Sequence, residues 1–203
     1  MTRHQWPWIP FAFLAIAVGC YPLLYCFLDL AHQGLLQSKP RALVTTGWYL
    51  PAFYAHISGG GLALLIGWLQ FSARLRARYP RLHRRIGTVY VVAVGLSSLA
   101  GCVLALFATG GWLAVTGFGA LAVLWISTDV LAYLSIRRRD IVRHREWMIR
   151  NYALTFAAVT LRIYLPLSQV LHIPFLNAYP VIAWLCWVPN LFFAQKLIAR
   201  PAA

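Results

Sequence analysis

The chain has 203 residues, of which 61% are hydrophobic, 15% aromatic and only 11% charged, with a formal net charge of +14. A soluble domain carries roughly 25% charged and 45–50% apolar residues. The composition therefore excludes a soluble globular domain, a disordered chain and a disulfide scaffold, and leaves an integral membrane protein.

Spanning a bilayer as a helix takes ~20 mainly apolar residues. Six stretches qualify, at about residues 8–30, 48–72, 86–108, 112–136, 149–171 and 179–198. The first follows Arg3 and His4, and its Ala17-Val18-Gly19-Cys20 weakly imitates a lipoprotein cleavage site. The apolar run continues past it through Tyr25, so an uncleaved spanning helix is expected. The second carries His56 and a stripe of small residues, Ala55, Gly59, Ala63 and Gly67, on which a neighbouring helix could pack closely. Gly59-Gly60-Gly61 beside it suits either helix packing or the approach of a flat ligand. Trp and Tyr recur at the span ends (Trp6, Trp8, Trp48, Tyr49, Tyr79, Trp112, Trp147, Tyr179), as an interfacial aromatic belt requires.

The connections alternate in charge. The first has Lys39 and Arg41 against Asp29, and the second holds Arg74, Arg76, Arg78, Arg81, Arg84 and Arg85. The third is neutral, and the fourth holds Arg137, Arg138, Arg139, Arg143, Arg145 and Arg150. The fifth has no Lys or Arg, and the tail has Lys196 and Arg200. The positive-inside rule then places both termini in the cytoplasm. Arginines confined to two short loops point to anionic lipid headgroups as the nearest partner, not to nucleic acid. Cys20, Cys26, Cys102 and Cys186 stand singly with no Cys-x-x-Cys pair, which supports neither a zinc site nor a thioredoxin-type site.

Arg162 is the sharpest anomaly, a charge about halfway along the fifth span, where insertion costs at least ~2.5–3.5 kcal/mol. Thr155 and Gln169 lie seven residues to either side and share its helix face. Asp129 is the only carboxylate well inside a span, so an Arg162–Asp129 pair is one reading. The other is that Arg162 binds an anionic group such as a propionate, a lipid phosphate or a substrate carboxylate.

His56 sits two turns into the second span, while His83 and His144 start the third and fifth spans. They read as packing residues or as axial ligands of a b-type haem. Units around Trp68…His83…Tyr90 and Trp125…His144…Tyr152 echo each other and suggest a duplicated hairpin. Around residues 144–150, His144, Trp147, Met148 and Asn151 share one helix face, and Arg143 and Arg150 another. That segment fits topology and anchoring, or a phosphate or carboxylate headgroup site. No Gly-rich phosphate loop, His-Glu-x-x-His or nucleophile elbow is present.

Gly67-Trp68-Leu69-Gln70-Phe71, the run from Arg76 through His83-Arg84-Arg85-Ile86-Gly87 to Tyr90, and His144-Arg145-Glu146-Trp147-Met148-Ile149-Arg150 resemble a bacterial family. It is the family of predicted membrane proteins known as domain of unknown function 2306, with the likeness covering about residues 54–169. The resemblance implies a multi-span inner-membrane protein and supplies no activity. It also implies that His56, His83, His144 and Arg162 belong to one shared site. A looser likeness in layout to small helical b-type cytochromes is fold-level analogy.

The expectation is an all-α, six-span polytopic bundle of the bacterial cytoplasmic membrane, forming one domain. It would be a redox-associated protein holding a b-type haem or a quinone, with a membrane or redox partner protein. His56, His83 and His144 would act as ligands or hydrogen-bond donors, and Arg150 and Arg162 would pair with anionic groups. The alternative is a non-redox transporter or assembly factor that recognises an anionic lipid or small molecule through its arginines.

Overall fold

Prolines and glycines decide where the helices stop, and apolar composition decides which of them cross the membrane. The structure, a computed structural model, describes residues 8–27 and 34–199. Asp29, His32, His4 and Arg200 lie outside the described residues. The described residues contain helices and no strands.

The first helix, α1 (Trp8–Gly19), is shorter than the expected span. It gives way to a tighter turn of helix over Tyr21–Cys26, in which Pro22 supplies no backbone N–H. Short helices Gly34–Gln37 and Arg41–Val44 lead to α2 (Tyr49–Gly67), which tightens into one further turn at Trp68–Phe71. The short basic helix Ala73–Arg78 follows, opened by the Ser72 hydroxyl accepting from the Leu75 N–H.

The remaining helices are α3 (Pro80–Ala105), α4 (Gly111–Arg137), α5 (Ile141–Thr155), α6 (Ala157–Val170), α7 (Phe175–Leu185) and α8 (Val188–Ile198). Helices α5 and α6 make one span broken at Phe156, and α7 and α8 make another broken at Cys186–Trp187. Five helices among the described residues are thus long and apolar enough to cross a membrane, with Ile9–Tyr25 as a shorter apolar companion.

Two helices begin ahead of the apolar stretches they carry. Helix α3 starts at Pro80, before the stretch from about residue 86, and α5 starts at Ile141, before the stretch from about residue 149. The arginines there lower hydropathy without lowering helix propensity, so the helices run on into the basic stretches. The α4–α5 turn shows how. Arg139 adopts a left-handed φ of 62°, and the Asp140 N–H returns to the Ser135 carbonyl at 3.0 Å. Asp140 then caps α5 by accepting from the Arg143 N–H at 3.0 Å.

Helix α2 packs mainly on α3, α3 on α4, and α4 on α5 and α7, while α1 lies along α2. The core runs between them, with Tyr90, Val94, Ala63 and Leu154 fully or almost fully buried. Its two ends differ. One carries the arginine-rich segments, and the other carries the neutral α3–α4 turn and Lys39, which donates to the Phe107 carbonyl and to Thr109.

Candidate functional site

The small-residue stripe of α2 sets the geometry of the neutral half. A Cβ at Gly59 would sit 2.8 Å from the Ala93 carbonyl oxygen and 2.9 Å from Ser97 Cβ, so α2 and α3 touch backbone to backbone. This approach brings His56 Nδ1 to 2.9 Å from the Ser97 carbonyl, and the Ser97 hydroxyl returns a bond to the His56 carbonyl at 2.6 Å. A carbonyl only accepts, so Nδ1 carries the proton and Nε2 keeps its lone pair. No hydrogen bond to Nε2 forms among the described residues. Trp125 stands edge-on to the imidazole at 6.4 Å between ring centroids.

Arg162 approaches from α6. Its Nη1 donates to the Ala158 carbonyl at 3.0 Å, and its guanidinium carbon lies 4.4 Å from the centre of the Tyr21 ring. Its Nε is buried without a hydrogen-bond partner among the described residues. Pro166, four residues on, offers no N–H to the Arg162 carbonyl, so the helix is weakened where the charge sits. Arg162 and His56 line one cavity of about 220 Å³, together with Phe53, Gly60, Trp125 and Thr155. Apart from these polar groups and Lys39, the walls are largely apolar. Burial pulls Lys39 below the ordinary lysine range, because its ammonium has lost water at the neutral end.

The cavity floor is a hydrogen-bonded cluster. Thr155 Oγ1 accepts from Trp125 Nε1 at 2.9 Å and lies 2.9 Å from the Tyr90 hydroxyl. That hydroxyl donates to Asn151 Oδ1 at 2.6 Å, and the Asn151 amide donates to the Trp125 carbonyl and Thr128 Oγ1, both at 2.9 Å. Every member is satisfied, which fixes the walls that Trp125 and Thr155 present to the cavity. Thr155 was legible in the sequence as part of the Arg162 face and Asn151 as part of the His144 face, whereas Ser97 and Thr128 carried no signal of their own.

The other candidates lie elsewhere. His83 and His144 both lie at the arginine-rich end, with His83 in electrostatic reach of His144. His144 Nδ1 is held by the Ala132 carbonyl at 2.9 Å. The four residues His56, His83, His144 and Arg162 therefore fall into two places, with His56 and Arg162 together at the neutral end. Arg150 is engaged locally, donating to Gln195 Oε1 at 3.1 Å, lying 3.7 Å from Glu146 and stacking on Trp147.

Asp129 is buried against α3, where a Cβ at Gly95 would lie 4.0 Å from its Oδ2. Its Oδ1 has no hydrogen-bond partner among the described residues. No Arg162–Asp129 pair forms among the described residues. Asp129 was expected nearer the cytoplasmic end but within reach of a long guanidinium; instead Arg162 turns to Tyr21 and the neutral-end cavity, and Asp129 stays against Gly95 towards the arginine-rich end of α4. Thr155 lies on the cavity, and Gln169 is exposed. No group of three or more His, Cys, Asp or Glu residues able to hold a metal ion occurs among the described residues.

A family profile described as "predicted membrane protein (DUF2306)" matches residues 53–198. The chain belongs to this family. The match reaches past residue 169 and takes in the final span, α7–α8, while α1 stays outside it. His56, Gln70, His83, His144 and Arg162 all fall within the family region. No curated protein and no solved structure matches the chain.

Proposed function

We propose that this membrane protein binds a lipophilic small molecule of the quinone–quinol class in the cavity between α2, α3, α4 and α6. The observation that carries the reading is the meeting of His56 and Arg162 in an apolar cavity. Small-molecule sites are apolar enclosures with a few convergent polar groups. Here a lone-pair acceptor, His56 Nε2, and a strong donor, the Arg162 guanidinium, supply complementary bonds. A quinol hydroxyl donates to the imidazole, and an oxygen on the ring accepts from the guanidinium. Trp125 and the bare backbone at Gly60 suit a flat ring.

The haem form of the redox reading has less support, because the cavity presents one imidazole and the other two histidines lie at the opposite end. A carboxylate-headed amphiphile is the second reading, favoured by the unpartnered Arg162 Nε. With the arginine clusters in the cytoplasm of a bacterial inner membrane, the cavity would occupy the outer leaflet.

Titrating the purified protein with a short-chain quinol, read by quenching of tryptophan fluorescence, tests this. We expect saturable binding that weakens by roughly tenfold or more in Arg162→Ala and in His56→Ala, the effect of losing about 1.4 kcal/mol of contact. Quenching that does not saturate, or that both variants retain unchanged, would overturn the quinol reading. Competition by a medium-chain fatty acid alone would move the assignment to the carboxylate.

A further inference from the structure

The arginine-rich end holds a second cluster, which the cavity at the neutral end does not use. Gln70 lies in the tight turn that closes α2, only 8% exposed, and its Nε2 donates to nothing among the described residues. Arg76, on the short helix that follows, folds back so that its Nη1 donates to the Gln70 carbonyl at 2.9 Å. His83, in the first turn of α3, has a buried Nδ1 with no hydrogen-bond partner among the described residues, and it lies within electrostatic reach of Arg76, Arg84 and His144. One turn further on, Gly87 leaves room beside the amide, since a Cβ there would come within 3.4 Å of Gln70 Oε1.

No carboxylate among the described residues answers these donors. Residues 68–87 contain no Asp or Glu. Asp140 is taken up by Arg143 and the α5 cap, and Glu146 by Arg150. A buried amide and imidazole left without acceptors are costly in an isolated chain, and a guanidinium held beside them supplies charge and a planar fork. Together they match the oxygens of a phosphate group.

We propose that Gln70, Arg76 and His83 form a binding site for a phosphate group at the membrane surface, with His144 on its rim. The phosphate could belong to a lipid headgroup or to a small phosphorylated solute, since both present the same oxygens. Membrane headgroup phosphates lie at the depth where aromatic and basic residues such as Tyr79 and Arg84 gather.

The test uses the full chain in a phosphate-free maltoside detergent. Its thermal midpoint is followed against inorganic phosphate and, separately, against short-chain phosphatidylglycerol. Wild type should show a saturable rise with at least one probe. Gln70→Leu, which keeps the volume and removes the donor, and Gln70→Glu, which reverses its character, should each raise the half-saturating concentration by roughly tenfold or more. Arg138→Ala, which removes an arginine from the α4–α5 turn, should leave it unchanged.

A response to phosphatidylglycerol alone assigns a lipid, and a response to inorganic phosphate assigns a solute. Gln70→Leu should also be at least as stable as wild type without ligand, because it deletes an unpaired amide. If that variant does not fold, Gln70→Glu carries the comparison. The proposal is overturned if neither probe shifts wild type, or if the Gln70 variants respond as wild type does. It does not depend on the quinol reading, because the two sites lie at opposite ends of the bundle.

Discussion

Gly67→Ala lowers the stability of the detergent-solubilised protein by about 1–3 kcal/mol, the cost of forcing extra volume into a filled core. Helix propensity acts in the other direction, since alanine in place of glycine gains about 1 kcal/mol in a helix interior. Geometry decides the sign. A Cβ at position 67 would sit 2.3 Å from the Tyr152 ring and 2.6 Å from the Tyr90 ring. Neither ring can retreat. Tyr152 is held by its hydroxyl on the Leu64 carbonyl at 3.1 Å, and Tyr90 by Asn151 and Thr155. Gly119→Ala is the matched control, because nothing lies within 4 Å of a Cβ there. Thermal unfolding should show the first variant falling and the second holding or rising.

Asn151→Leu should cost about 1–3 kcal/mol, from the loss of three buried hydrogen bonds each worth about 0.5–1.5 kcal/mol. Asn151 is fully buried, accepts from the Tyr90 hydroxyl and donates to the Trp125 carbonyl and Thr128. Leucine preserves the approximate volume but removes all three bonds, leaving the Tyr90 hydroxyl to Thr155 and the Trp125 carbonyl to Thr128. Tyr90→Phe alone should cost less, because its partners keep other bonds: Thr155 to the Asn151 carbonyl at 3.0 Å, and Asn151 through its amide. The double variant should be less destabilised than the sum of the two, since each single variant already breaks the shared Tyr90–Asn151 bond. Strict additivity would show that the Tyr90–Asn151 bond carries no coupling energy.

Composition alone made the spans legible, because no other fold class buries so apolar a chain. Helix starts were harder to read. At His83 and His144 the arginines look like loop, yet both stretches are helical, and Tyr90 and Asn151, each seven residues on, are hydrogen-bonded to each other. Anomalous residues were also legible one at a time, as with His56 and Arg162. What sequence could not supply was which neighbour each polar side chain meets. Counting put Asp129 nearer the arginine-rich end than Arg162, and the reach allowed to a long guanidinium is spent on the Tyr21 ring and the Ala158 carbonyl instead.

The partner of His56 was invisible for another reason. It is the Ser97 backbone carbonyl, which carries no residue signature, and that bond leaves Nε2 as the acceptor. Gln70 stood out only as part of a motif, because an unpaired amide can be seen only once its surroundings are built.

The most direct measurement is solvent extraction of the protein purified from its own membranes, followed by an ultraviolet oxidised-minus-reduced spectrum of the extract. Our account predicts roughly one quinone per chain, as expected for a single enclosed site, and its loss from Arg162→Ala. An extract without redox-active ultraviolet absorbance, or a quinone content that Arg162→Ala leaves intact, would contradict it.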